Sequence, residues 1–105
     1  METKNVIEQI KELLHHIAPE AKAILYGSQA RGDAKEGSDI DLLVLLPDHY
    51  EGKDFIRKKL DISGKLYDLS LANDVEISPL ILVPKIFYAR QTPFTVNVIN
   101  EGIEL

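Results

Sequence analysis

Two aspartates separated by one residue are the first feature of the sequence that could carry chemistry. Asp39 and Asp41 begin an apolar run that predicts a β-strand. Because strand side chains alternate between two faces, both carboxylates lie on one face, roughly 6 to 7 Å apart. Like charges at this spacing repel when they are partly buried, and a divalent cation relieves the repulsion. Carboxylate oxygens suit Mg²⁺, which also binds water and substrate phosphates, so the pair predicts a metal-assisted phosphate site.

A glycine and a serine form the second candidate element. Gly27 and Ser28 end a short apolar run, and glycine lets a ligand approach the backbone closely. The amide groups and hydroxyl of a helical turn that begins here favour phosphate. Arg31 could contact a phosphate or instead pair with Asp33 or Glu36. The segment lacks the second glycine and the lysine of a Walker A loop, so a P-loop is excluded.

The elements that must position these residues follow from hydrophobic spacing. The pattern predicts helices over residues 6–17, about 48–71 and about 94–100. It predicts strands over 21–26, 39–46 and 75–83, with a further edge strand after Gly102. Only about two dozen residues that include a helix separate the second and third strands, so an α/β (α+β) fold with a mixed β-sheet flanked by helices is expected.

Two local expectations concern the second long helix. Asp48 and Glu51 have the spacing of a capping box at its start. Four apolar residues recur at helical spacing along it, namely Ile56, Leu60, Tyr67 and Leu71. Aromatic side chains are more often core than ligand-stacking platforms, and we expect this of Tyr26, Tyr67, Tyr88 and Phe94.

Length and composition limit the classes of function. With 105 residues, one domain spanning residues 1–105 is expected. The formal charge of −5 argues against a long nucleic acid as partner, although a metal-neutralised nucleotide is compatible with it. No apolar run is long enough to predict a membrane span, and the chain contains no cysteine. A cytoplasmic location is therefore the expectation.

The two candidate elements together carry a family resemblance. Gly27-Ser28-Gln-Ala-Arg31-Gly32, five intervening residues and Ser38-Asp39-Ile40-Asp41-Leu42 resemble the signature of the DNA polymerase β-type nucleotidyltransferase superfamily, in particular its minimal members. The resemblance implies the nucleotidyltransferase fold and transfer of a nucleoside monophosphate, AMP from ATP, to a hydroxyl. It implies that Asp39 and Asp41 bind two Mg²⁺ ions. The nucleotide-binding candidates are Gly27, Ser28, Arg31 and Ser38.

The family also has a third carboxylate, commonly aspartate, on a neighbouring strand. It binds the second metal ion and helps to deprotonate the acceptor. Glu76 is the candidate for this position. Strand alternation would place Asp74 on the same face, so Asp74 is the alternative.

The resemblance also implies a partner. Minimal members are commonly paired with a helical protein of the HEPN class in a toxin–antitoxin system, so the expected acceptor is a partner tyrosine modified with AMP. Two other functions stay open: a catalytically silent antitoxin that acts by binding alone, and a nucleotidyltransferase for small molecules of the antibiotic type. A homo- or hetero-oligomer is compatible with each of them.

Overall fold

The computed structural model describes residues 3–32 and 39–105, and a mixed β-sheet forms its centre. Its first half contains α1 (Thr3–Ile17), β1 (Lys22–Tyr26), α2 (Ser28–Arg31) and β2 (Ile40–Leu45). Its second half contains α3 (Gly52–Asn73), β3 (Ile77–Leu82), α4 (Pro84–Phe87), α5 (Pro93–Glu101) and β4 (Ile103–Glu104).

The strands of the described residues form one sheet in the order β3-β2-β1-β4. β1 is antiparallel to both β2 and β4, whereas β2 and β3 are parallel and are connected through α3. The end of β1 and the beginnings of β2 and β3 therefore meet at one edge of the sheet. The predicted mixed sheet flanked by helices is confirmed.

The larger core lies between one face of the sheet and helices α1 and α3. Alternate residues along β2 and the residue that follows it point into this core, and all of them are fully buried: Ile40, Leu42, Val44 and Leu46. The helices contribute residues at helical spacing, including Ile10, Leu14, Ile62 and Leu66. Asn73 and Gln9 exchange two amide hydrogen bonds of 3.1 and 3.3 Å, which join the end of α3 to α1.

A smaller core covers part of the opposite face. Leu43 and Leu45 of β2 pack here with Phe87 of α4 and Val98 of α5. The prediction for the tail is thereby confirmed for α5 and β4, whereas α4 was not predicted. Of the six residues in β2, Asp41 alone is not buried, because its side chain lies beyond the part of this face that the smaller core covers.

Two local predictions were wrong. Glu51 is the N-cap of α3, but no side chain caps that terminus, and Asp48 instead accepts the amide hydrogen of Lys85 in the first turn of α4 at 2.8 Å. Asp74 is not part of a strand: it is the left-handed C-cap of α3, with φ 50° and ψ 47°. β3 therefore begins at Ile77 rather than at residue 75.

The four apolar residues predicted at helical spacing do lie in α3, but on its outer face, so the expectation that Tyr67 belongs to the core was wrong. Ile56, Leu60, Tyr67 and Leu71 are 55 to 66% exposed, and the helix packs through Ile62 and Leu66. Tyr88 and Phe94, which were expected in the core, are exposed as well, whereas Tyr26 is half-buried. Within the described part of the chain, no helix combines the length and apolarity that a membrane span requires.

Candidate active site

The turn glycine and the two aspartates predicted to form the site meet at the sheet edge where β1 ends and β2 begins. Gly27 follows β1 directly, and Asp39 precedes β2. Asp41 is the second residue of β2 and lies opposite Tyr26 in the antiparallel register. Asp39 is exposed, whereas Asp41 is partly buried.

Gly27 brings the turn against the Asp41 carboxylate. Its backbone has φ 74° and ψ −153°, a conformation that residues with a side chain rarely adopt. A Cβ atom at this position would lie 2.7 Å from Oδ2 of Asp41, which is too close for two non-bonded atoms. The absence of a side chain at Gly27 thus creates the space that the carboxylate occupies.

The two aspartates affect each other electrostatically. Burial raises the pKa of Asp41 above its ordinary value, and the negative charge of Asp39 raises it further. Both effects disfavour a second negative charge at this edge. A cation bound between the two carboxylates would remove this penalty, so the donor chemistry fits the predicted Mg²⁺.

Tyr26 lies next to the site, a position that the sequence analysis did not predict. Burial raises the pKa of the Tyr26 hydroxyl, and the Asp41 charge raises it further. Phe94 of α5 contacts the Tyr26 ring edge-to-face, with the ring centroids 5.3 Å apart. Tyr26 therefore stays neutral and forms an aromatic wall next to the acidic pair.

Ser28 and Arg31 belong to the short helix α2. Ser28 is its first residue, at the end of the helix where backbone amides lack intrahelical acceptors. Arg31 does reach a carboxylate, as one alternative predicted, but that of Glu101 in α5, with Nη1 and Oε2 3.3 Å apart. The predicted partners Asp33 and Glu36, and the candidate Ser38, lie outside the described residues.

Glu76 lies directly before β3 on the same edge. Ile40 is opposite Ile77, and the Ile40 amide donates to the Glu76 carbonyl at 2.9 Å, so Asp39 and Glu76 are neighbours across the two strands. The register places the Glu76 side chain on the face of the sheet that carries both aspartates. Glu76 is exposed, and no group of three or more acidic, histidine or cysteine side chains in the described ranges is close enough to hold a metal ion.

Glu76 and the alternative Asp74 both border a hollow, but they differ in backbone setting. The hollow has a volume of about 410 Å³ and lies between the end of α3 and the start of β3. Tyr67 and Leu71 line it together with Asp74 and Glu76. Only Glu76 lies in register with the aspartates, since Asp74 belongs to the left-handed end of α3.

Comparison with known proteins assigns this arrangement to a family. A family model described as a nucleotidyltransferase domain matches residues 6–99. A protein of Methanocaldococcus jannaschii, provisionally named protein adenylyltransferase MJ0141, is 35% identical over 105 residues. That alignment covers 95% of this chain and 98% of the relative.

Solved structures share the fold over nearly the whole chain. One described as a minimal nucleotidyltransferase has a TM-score of 0.61 and 25% identity, and the match covers 100% of this chain and 97% of that one. A toxin–antitoxin complex with AMP-PNP has a TM-score of 0.60 and 21% identity, and the match covers 98% and 72% of the two chains. One family accounts for the Gly-Ser turn, the paired aspartates and the mixed sheet. The chain belongs to the nucleotidyltransferase domain family and is a nucleotidyltransferase of the minimal type.

Proposed function

We propose that this nucleotidyltransferase transfers AMP from ATP to a tyrosine of a helical, HEPN-type partner protein and thereby acts as the antitoxin of a toxin–antitoxin pair. The observation that carries the proposal is the fit of the Asp41 carboxylate against Gly27, next to Asp39. This arrangement sets two acidic side chains beside a turn that suits phosphate groups.

The names of the similar proteins support the choice of donor and acceptor. The 35% identical relative is provisionally named a protein adenylyltransferase. Structures that share the fold include toxin–antitoxin complexes, one with AMP-PNP and one of a complex named MntA-HepT. The first name gives a protein as the acceptor, and the AMP-PNP complex combines an ATP analogue with a toxin–antitoxin pair; together they support AMP transfer from ATP to a protein partner.

Each site residue then has a role in the proposed reaction. Asp39 and Asp41 would bind Mg²⁺, which would neutralise phosphate charge and orient the triphosphate when bound. Ser28 and the nearby amides would hold the β- and γ-phosphates, and Arg31 and Ser38 are further nucleotide-binding candidates. The tyrosine oxygen attacks the α-phosphorus, the bond from that phosphorus to the β-phosphate bridging oxygen breaks, and pyrophosphate leaves. The phenolic proton passes to Glu76.

The acceptor side of the site is best supplied by another protein. Glu76 is exposed at the mouth of an open hollow, so a side chain from a docked partner can approach it. The net charge of −5 favours a basic partner, and a protein that binds RNA would be basic.

The test combines the purified chain, ATP, Mg²⁺ and a helical HEPN-type protein, followed by intact-mass and peptide analysis. We expect additions of AMP on a partner tyrosine, which require Mg²⁺ and disappear with Asp41→Asn. The matched control is Asp48→Asn, because Asp48 is an exposed aspartate remote from the sheet edge whose hydrogen bond to α4 an asparagine oxygen can keep.

Two other results would replace the proposal. Neutralisation of the partner without modification, retained in an Asp39→Asn, Asp41→Asn double variant, would assign the chain as a silent binding module. Efficient AMP transfer by the chain alone to a small-molecule hydroxyl would make it a metabolite- or antibiotic-modifying enzyme.

A further inference from the structure

The outer face of α3 carries an apolar stripe that the fold of one chain leaves uncovered. Its members are Ile56, Leu60, Gly64, Tyr67 and Leu71, at intervals of four, four, three and four residues. At 100° per residue they fall within an arc of about 80°. The four large side chains are 55 to 66% exposed. This α3 stripe lies well away from the inner face of the helix, which packs through Ile62 and Leu66.

The glycine midway along the α3 stripe is not required by close packing within the single chain. Gly64 lies in the middle of a 22-residue helix, where glycine is less favourable than alanine. A Cβ atom at this position would meet nothing within 4 Å. A second helix that crosses closely at Gly64 would use the absent side chain, because small residues let two backbones approach each other.

The stripe is nearly symmetric about Gly64. Leu60 lies four residues before Gly64 and Tyr67 three after it, and Ile56 lies eight before and Leu71 seven after it. An antiparallel copy of the same helix, related by a two-fold axis at Gly64, would therefore set apolar residues opposite apolar residues along the whole stripe.

The charges of α3 are complementary in the same antiparallel arrangement. Residues 52–63 contain four basic and two acidic side chains, whereas residues 64–74 contain one basic and two acidic ones. Arg57 and Asp68 are both exposed and flank the same side of the α3 stripe. With Gly64 on the two-fold axis, Arg57 of one copy lies within about 5 Å, along the helix, of Asp68 in the other.

We propose that the α3 stripe is a homodimer interface at which two copies pair antiparallel, with the Gly64 residues crossing on the two-fold axis. This interface forms without nucleotide or acceptor and is tested on the chain alone, although Tyr67 and Leu71 also line the hollow beside Glu76, so the dimer and a docked acceptor protein would compete for this surface. A contact formed by one helix from each copy is small, so we expect a dissociation constant in the micromolar range.

Sedimentation equilibrium of the full chain from about 1 µM to about 1 mM tests the proposal. We expect the mass to rise from 11.8 kDa and to saturate at twice that value. Leu60→Asp should weaken the dimer at least 100-fold, because it places an unpaired charge in the contact. Ala72→Asp, which adds the same charge to α3 outside the stripe, should leave the dimer within about three-fold of the original.

A second variant separates a close helix crossing from general apolar adhesion. Gly64→Leu enlarges the apolar surface but blocks the crossing, so it should weaken the dimer by 10-fold or more. Stronger association of this variant would overturn the proposed crossing. Circular dichroism of each variant establishes that α3 is folded, and a wild-type chain that stays monomeric up to 1 mM would overturn the interface altogether.

A charge exchange tests whether the partner is a second copy. Arg57→Asp and Asp68→Arg should each weaken self-association about three- to ten-fold, because each puts like charges together. An equimolar mixture of the two variants should restore the dimer as a mixed species, since both inter-chain pairs are then complementary. Failure of the mixture to associate better than either variant alone would show that Arg57 does not face Asp68 of another copy.

Discussion

At the scale of single residues, the site depends on how closely a backbone turn approaches a carboxylate. Gly27 combines a positive φ with a Cβ position only 2.7 Å from Asp41 Oδ2. A side chain there would both strain the turn and displace the carboxylate. The geometry of the acidic pair is therefore coupled to the residue type at position 27.

Gly27→Ala should consequently impair nucleotide binding and stability together. We expect Mg²⁺-dependent ATP affinity to fall at least 10-fold and the free energy of unfolding to fall by about 1 to 3 kcal/mol, because of the backbone strain and the displaced Asp41. Calorimetric titration and urea unfolding measure the two effects.

Gly32→Ala is the matched control for this variant. Gly32 also has a positive φ of 78°, but a Cβ atom there would meet nothing within 4 Å. Its substitution should cost stability without a comparable loss of ATP affinity. Equal losses of affinity in both variants would show that backbone strain, and not the Asp41 contact, controls the site.

The raised pKa of Asp41 predicts a pH-dependent stability. The pKa of Asp41 is higher in the folded chain than in the unfolded chain. The fold therefore loses stability as the pH rises from the unfolded pKa through the folded pKa. In metal-free buffer, Asp41→Asn should be more stable than the wild type at pH 7, by on the order of 0.5 kcal/mol, and the difference should vanish below about pH 4. Urea unfolding at several pH values tests this, and a variant that is less stable at pH 7 would contradict it. Mg²⁺ with ATP should stabilise only the wild type.

Residue spacing predicted the turn and the acidic pair of the site but not the side chains that surround them. Gly27, Asp39 and Asp41 were predictable because strand alternation and a turn suffice to relate residues that are close in sequence. The neighbours come from distant segments: Glu101 lies 70 residues from Arg31, and Phe94 reaches Tyr26 from α5. Only the packing of α5 against β1 brings these side chains to the turn.

At the scale of elements, periodicity predicted which segments form helices but not which face they bury. α3 has two apolar sets, one around Ile62 and Leu66 and one around Leu60 and Tyr67, and both have helical spacing. The sheet and α1 select the first set. A hydrophobic pattern alone cannot distinguish the face that packs within the chain from one that is available to a second molecule.

Element boundaries depended on contacts that sequence motifs do not encode. Asp48 and Glu51 have capping-box spacing, yet Asp48 accepts the amide hydrogen of Lys85 and thus caps α4 across the chain. Strand alternation from residue 75 would place Asp74 on the face of Glu76, but the Asp74 amide bonds back to Leu71 and Ser70 and ends α3. The choice of Glu76 over Asp74 as third carboxylate accordingly requires the helix end and the strand register together.

At the scale of the whole molecule, the last quarter of the described chain returns to the strand that leads into the site. β4 pairs with β1, and the Leu105 amide donates to the Ala23 carbonyl at 2.8 Å. The preceding helix α5 holds the ring of Phe94 against Tyr26. The position of β1, and hence of the Gly27 turn, depends on how this tail packs.

Gly102 is the joint between α5 and β4, and its substitution tests this dependence. Its backbone is extended, with φ −65°, so alanine fits the conformation, but a Cβ atom would meet the carbonyl oxygen of Val98 and lie 2.6 Å from Cγ2 of Ile24. Gly102→Ala should therefore lower the free energy of unfolding by about 1 to 3 kcal/mol and speed hydrogen exchange of the Leu105 amide. Urea unfolding at low protein concentration and hydrogen exchange measure both.

Gly64→Ala, the same substitution in open space within a helix, should instead raise the free energy of unfolding by up to about 1 kcal/mol. If Gly102→Ala leaves stability and exchange unchanged, the tail does not hold β1 in place, and the turn at Gly27 is positioned by β2 alone.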